Sequence, residues 1–173
     1  MLIETKRCQA FRIRIADIEE VIQLYLNPEV RKYLGGVHDE ESLAPMIEAV
    51  KVAEGQLPYW VVREKMTQEF MGTVSLDVHH EGVHTEISYQ FLPKWWGAGY
   101  ASEVVRAVIT YAFEEMNLPV ILAETQTANL ASCKMLERIG MKLERKLVRF
   151  GAQQSLYALE SCSQKENPRI LYK

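Results

Sequence analysis

Nowhere in the 173 residues does an apolar run approach the length of a membrane span, so no membrane partner is expected. The opening MLIETKRCQAF lacks the long apolar core of a signal peptide. Cysteine is scarce: Cys8, Cys133 and Cys162 are odd in number and far apart. Neither a disulfide framework nor a zinc spacing fits them, and reduced thiols in the cytoplasm are the simplest reading. An excess of positive charge is also lacking. Lys plus Arg total 20 against 23 Asp plus Glu, a net charge of −3, so nucleic acid is not expected as a direct partner. No repeat, low-complexity tract or linker interrupts the chain. What is there is ordinary globular material, 48% hydrophobic and 25% charged, in a length that suits one domain with a substantial core. The expectation is a single domain over 1–173 with its core between about 10 and 160. The polar tail from Ser161 is either loose or docked through Ile170, Leu171 and Tyr172.

Ala10–Ile15 alternates apolar and charged residues as a half-buried strand does. Asp17 is placed to cap a helix carrying Ile18, Val21, Ile22 and Tyr25 at helical spacing. Pro28 opens a further turn of helix that runs to the Gly35-Gly36 break, and a third helical segment spans about Glu40 to Glu54. Tyr59–Glu64, Glu69–Val78 and Val83–Leu92 read as an antiparallel meander. A long amphipathic helix over Tyr100–Met116, a strand over Val120–Glu124, a helix over Leu130–Ile139 and a hairpin of Met141–Phe150 with Gln153–Glu160 follow. This order implies an α/β fold: one mixed, mostly antiparallel seven-stranded sheet with a parallel β-α-β crossover.

The most informative stretch is Gln90–Glu103, QFLPKWWGAGYASE. Gly97 and Gly99 remove side chains where the backbone must bend and admit another molecule. The amides of Ala98 to Ser102 are then the unpaired donors of a helix N-terminus, an anion site most often used for phosphate. Glycines before a helix also occur as loop punctuation. A dinucleotide-binding turn fits poorly, because its third glycine would fall at Ser102 and the strands before it are antiparallel.

Lys94-Trp95-Trp96-Gly97-Ala98-Gly99 resembles the Q/R-x-x-G-x-G/A phosphate loop of the GNAT superfamily of acyl-CoA-dependent N-acetyltransferases, with Lys in the first place. The wider WGAGYASE resembles the W-G-x-G-Y-A-x-E of its ribosomal-protein alanine N-acetyltransferase branch. Asn129-x-x-Ser132-x-x-x-Leu136-Glu137-x-x-Gly140-Met141 resembles that branch's N-x-x-S-x-x-x-L-E-x-x-G-F. The resemblance covers about Phe11 to Leu159. It implies a V-shaped splay between the fourth and fifth strands, which here are Val83–Leu92 and Val120–Glu124, and acetyl-CoA as cosubstrate with no metal. Carried over by position, backbone groups near Phe91 and Leu92 would bond the pantetheine arm. The amides of Gly97, Ala98, Gly99, Tyr100 and Ala101 would hold the pyrophosphate, with Lys94 as a flanking cation. Asn129 would lie near the pantetheine and acetyl group, and Lys134 near the adenosine phosphate.

The implied reaction is direct transfer of an acetyl group to a primary amine, which needs a proton acceptor, donors for a developing oxyanion and a proton donor for the leaving thiolate. In the family a backbone amide of the fourth strand serves the oxyanion. Many members carry a Tyr acid at the place of Leu136, so that acid is missing; Ser132 matches the Ser of the similar branch and is the candidate donor. Ser at the start of a helix is also a common cap. Glu86, within T-E-I-S-Y, is the candidate base or ammonium partner, and otherwise a solvent-facing strand residue. Tyr89 and Ser88 are placed to line the groove, with Ser88 standing for the branch's usual Gly. Cys133 has no neighbouring His and reads as a buried structural thiol. His79, His80 and His84 read as a solvated turn rather than a metal set. Trp95 and Trp96 read chiefly as packing for the glycine turn. Tyr33, His38, Asp39, Glu40 and Glu41 fall in the segment where the family builds its acceptor wall, though acidic residues opening a helix equally answer its dipole. The acceptor is a protein N-terminal amine, or a small amine such as a polyamine or aminoglycoside-like antibiotic. A non-catalytic acyl-CoA-binding module is the rival outside the enzymes, and a monomer and a homodimer are both open.

Overall fold

The computed structural model describes residues 2–52 and 55–161. Cys162 and the tail expected to dock or hang loose lie outside them. Eight strands form one sheet in the order β1-β2-β3-β4-β5-β6-β8-β7. These are β1 Leu2–Glu4, β2 Cys8–Arg12, β3 Tyr59–Glu64, β4 Phe70–Val78, β5 Thr85–Phe91, β6 Val120–Gln126, β7 Lys142–Arg149 and β8 Ala152–Glu160. The helices are α1 Ile18–Leu26, α2 Pro28–Arg31, α3 Glu40–Val52, α4 Tyr100–Glu114 and α5 Leu130–Arg138.

The sheet has one strand more than the pattern predicts, because β1 is three residues long and its sequence, Leu-Ile-Glu, is too short to show an apolar–polar alternation. It pairs with β2 through Ile3 opposite Ala10. The first predicted strand is also displaced. Ile13 still donates to the Tyr59 carbonyl at 2.9 Å, but the chain then turns through a 3-10 segment over Ile15–Asp17. Asp17 does not cap α1: its Oδ2 turns back to the Arg14 amide at 2.9 Å, and Oδ1 takes Arg63 at 3.2 Å. Asn27 is a working cap, with its Oδ1 accepting from the amides of Glu29 and Val30. α4 ends two residues before the predicted Met116.

Alternation along β3 shows why the sheet is filled on both faces. Trp60 and Val62 enter one cluster with Val74, Ile87, Val104, Val105, Val108 and Leu136, beneath α4 and α5. Val61 enters the other, with Ile18, Val21, Leu24, Val30 and Val50 from the first three helices. Burial of these two apolar layers is the principal force holding the sheet between its helices.

β5 and β6 are parallel and joined by α4, the crossover expected from the sequence. They pair only at Thr85 with Ile121 and Glu86 with Leu122. Beyond that point β5 stays on β4 as far as Phe91, opposite Gly72, while β6 runs to Gln126 against Gln154 of β8. The two strands therefore separate toward their C-terminal ends. Leu92 gives its amide to the Met71 carbonyl at 2.9 Å. Backbone groups alternate along a strand; the last parallel pair, Glu86 with Leu122, takes up the Ile87 amide, so the amides of Tyr89 and Phe91 face the opening that β6 has left.

Candidate active site

The glycine turn stands at the open end of this gap. Pro93–Trp95 forms a short 3-10 turn, and Gly97 and Gly99 then adopt φ of +78° and +80°, conformations that L side chains rarely take. Helix α4 starts at Tyr100, and its first bond runs from the Glu103 amide to the Gly99 carbonyl at 3.1 Å. The amides from Gly97 to Ser102 find no protein acceptor among the described residues. A row of free N–H groups at the positive end of a helix of 15 residues is chemically suited to a phosphate anion. No side-chain oxygen fills the position, since the helix is preceded by glycine instead of Ser, Thr, Asp or Asn.

The turn is clamped from a part of the chain that its sequence gives no reason to suspect. Glu103 accepts from the Thr5 hydroxyl at 2.6 Å, the Arg7 amide at 2.8 Å and Arg7 Nε at 2.7 Å. Arg7 Nη1 donates to the Ala98 carbonyl at 3.0 Å, and its guanidinium lies 4.1 Å from the centre of the Tyr100 ring. The β1–β2 turn thus grips both sides of the bend. Burial opposes the charge on Glu103, but the Thr5 and Arg7 donors outweigh it and hold the carboxyl below its usual range. Lys94 points elsewhere: it pairs with Glu69 and stands over Trp95. Trp95 packs on the core against Tyr100 and donates to the Phe70 carbonyl at 3.2 Å, as its packing role requires. Trp96 is half exposed and donates to the Phe91 carbonyl at 2.7 Å.

Asn129 and Ser132 stand at the start of α5, the helix that follows β6. Asn129 is the N-cap, with Oδ1 accepting the Ser132 amide at 3.2 Å, which leaves its Nδ2 hydrogens without a protein acceptor among the described residues. The capping task therefore belongs to Asn129 and not to the Ser132 hydroxyl. That hydroxyl lies 2.7 Å from the Tyr89 hydroxyl of β5. Leu136, at the position where the resembled family often carries Tyr, is 1% exposed in the core. Lys134 lies on the exposed side of α5. Cys133 is buried, as expected.

Glu86 marks the point where the strands part. Its Oε1 accepts the Glu124 amide at 3.3 Å across the gap, and burial, ahead of the neighbouring charges, raises its pKa above the usual carboxylate value. It is half-buried, not solvent-facing. Ser88 is exposed on the same strand.

The histidine turn departs most from expectation. His80 and His84 are exposed, but His79 is 1% exposed, and its Nε2 lies 3.0 Å from Glu124 Oε2. The Glu81 amide donates to His79 Nδ1 at 3.3 Å, which puts the ring proton on Nε2 facing Glu124. Arg149 Nη1 reaches the same carboxylate oxygen at 2.5 Å. Tight turning at Gly82, whose amide bonds the His79 carbonyl at 2.7 Å, carries the imidazole inward. Only tertiary contact with β6 and β7 produces this, so spacing alone gave no sign of it.

An open mixed sheet parted beside a free-amide cradle is the architecture of the N-acetyltransferases. A crystal structure of a GNAT acetyltransferase from Bacillus anthracis superposes with a TM-score of 0.79 at 26% identity, over 92% of this chain and 98% of that one. Ribosomal-protein-S5-alanine acetyltransferase from Vibrio fischeri (TM-score 0.75, 18% identity, 92% and 96% covered) shares the fold. So does spermidine N-acetyltransferase from Vibrio cholerae, solved with CoA and spermine (TM-score 0.76, 16% identity, 88% and 95% covered). An uncharacterized N-acetyltransferase of Bacillus licheniformis, p20, is 30% identical over 81% of this chain and 82% of its own. Residues 11–142 match the acetyltransferase (GNAT) domain, and the chain belongs to that family.

Proposed function

We propose that this protein moves the acetyl group of acetyl-CoA directly to a primary amine, most readily a protein N-terminal amine. The observation that carries the reading is the pairing of the free amides of Gly97 to Ala101 with a gap that opens between β5 and β6 from Glu86 onward. That cradle fits a diphosphate, because its donors are unpaired and two glycines keep side chains away from it. Gly97, Ala98, Gly99, Tyr100 and Ala101 would hold the phosphates, with the gap-facing backbone of Phe91 and the Nδ2 donors of Asn129 toward the arm. Leu92 contributes through position alone, since its amide is given to Met71 and its carbonyl to Trp95. Lys134 is the candidate for the outer phosphates, and Lys94 joins it only by giving up its pairing with Glu69.

Acetyl-CoA supplies the activated acyl group as a thioester. Glu86 takes the proton that the incoming ammonium must lose, through water or by direct contact, and its raised pKa brings it closer to working pH. The Tyr89 amide, the first on β5 past its pairing with β6, is the donor for negative charge on the acyl oxygen. Ser132 donates a hydrogen bond to the departing sulfur. The similarity of the Asn129–Met141 motif and of the fold to ribosomal-protein alanine acetyltransferases favours an N-terminal amine. A small polyamine is the second reading, favoured by the shared fold with the spermidine enzyme and by two carboxylates, Glu86 and Glu124, at the parting of the strands.

Release of CoA thiol in the presence of peptides with free N-termini and of polyamines tests the reading, together with Glu86→Gln and Ser132→Ala. Turnover that each substitution lowers by about 10²-fold, with CoA affinity retained, is expected. CoA binding without turnover on any amine would instead identify a non-catalytic CoA-binding module.

A further inference from the structure

We propose that Tyr89 is a positioning residue for this reaction: its phenol hydrogen-bonds Ser132 from the core side and so turns the single serine proton into the gap between β5 and β6. This rests on the role given to Ser132 above. Three observations converge on it. The two hydroxyl oxygens are 2.7 Å apart, a short contact between a residue of β5 and one of α5 on opposite sides of the parted strands. The cap of α5 is made by Asn129, so no backbone group of that helix end competes for the serine hydroxyl. Tyr89 points to the same face of β5 as Ile87 and Phe91, with its ring packed on the main core and its hydroxyl reaching α5.

A serine hydroxyl carries one proton and two lone pairs. Of the two hydroxyls the phenol has the more acidic proton and the less basic oxygen, so it donates and Ser132 accepts. One lone pair is then occupied from the core side, and the serine proton is free for an acceptor in the gap. Burial pushes the Tyr89 phenol up to about 12, so it keeps its proton at neutral pH and stays a donor. The fold thereby meets the need that Leu136 cannot, with an oriented alcohol in place of a tyrosine acid.

The test uses the binary complex with CoA itself and reads the ionisation of its thiol from the thiolate absorbance, as a difference against CoA-free protein. A serine proton aimed at sulfur stabilises bound thiolate. Ser132→Ala is expected to lower the thiolate fraction at fixed alkaline pH by about tenfold, Tyr89→Phe by about threefold to tenfold, and the double variant no further than Ser132→Ala. In turnover, Tyr89→Phe is expected to lower kcat with the KM for acetyl-CoA unchanged. Loss of thiolate in Ser132→Ala but not in Tyr89→Phe overturns the positioning role and leaves that of Ser132 standing. No change in either variant, or no CoA binding by the unsubstituted protein, overturns both.

Discussion

Single residues in the parted strands are set apart by what surrounds them. Glu124 shares its carboxylate between the buried His79 and Arg149, whereas Glu86 has one long bond to an amide and is otherwise held among partly desolvating neighbours. A carboxyl raised by burial is ionised only above its usual range. The acid limb of kcat/KM is therefore expected above the pH of an ordinary glutamate, near 4.3, and absent in Glu86→Gln. Repeating the profile with amines of different basicity separates this limb from that of the acceptor, which moves with the amine. The sign for folding follows from the same shift. The native state holds the Glu86 proton more tightly than the unfolded chain, so its contribution to stability is lost as pH rises through the native value. Leu136 supplies a second test at this scale. Restoring the family's tyrosine there puts a larger polar ring into the core, and Leu136→Tyr is expected to cost about 1–3 kcal/mol in urea unfolding without raising kcat.

At the scale of elements, the cradle depends on a hairpin more than 90 residues earlier in the chain. Loosening that clamp disorders the donors for the phosphates but leaves the residues at the branch of the gap in place. Glu103→Gln, which keeps shape and removes the charge opposite Arg7, is expected to raise the KM for acetyl-CoA about fivefold, the equivalent of roughly 1 kcal/mol, with kcat little changed. Local patterns made much of this region legible in advance. Gly97 and Gly99, with an amphipathic helix directly after them, announce a bend and free amides before any tertiary structure is known. The Thr5–Arg7–Glu103 clamp leaves no such trace, because partners brought together by folding have no characteristic spacing. Nor do the inward turn of His79 and the contact between Tyr89 and Ser132. Asp17 shows the converse: it sits where a cap is expected, yet Arg14 and Arg63 claim its carboxylate.

For the whole molecule, the decisive feature is a sheet that keeps its hydrogen bonds on both sides of β5 for only two residues and then opens. Alternating strands, a 15-residue amphipathic helix and the β-α-β order were enough to expect a mixed sheet with one parallel crossover; its opening was implied by the resemblance of the two motifs alone, and the three-residue edge strand is defined by its pairing. In the proposed reaction the opening takes a thioester from one face and an amine from another, so that both meet without any covalent stop on the protein. The buried Cys133 and the hydrogen-bonded Ser132 are consistent with that economy, since neither has a base beside it to make a nucleophile. Initial-rate kinetics of CoA thiol release, with acetyl-CoA and an N-terminal-amine peptide varied together, tests direct transfer most simply. Intersecting double-reciprocal lines, and no thiol release before the amine is added, are the predicted result. Parallel lines with a stoichiometric burst of thiol in the absence of amine would contradict it.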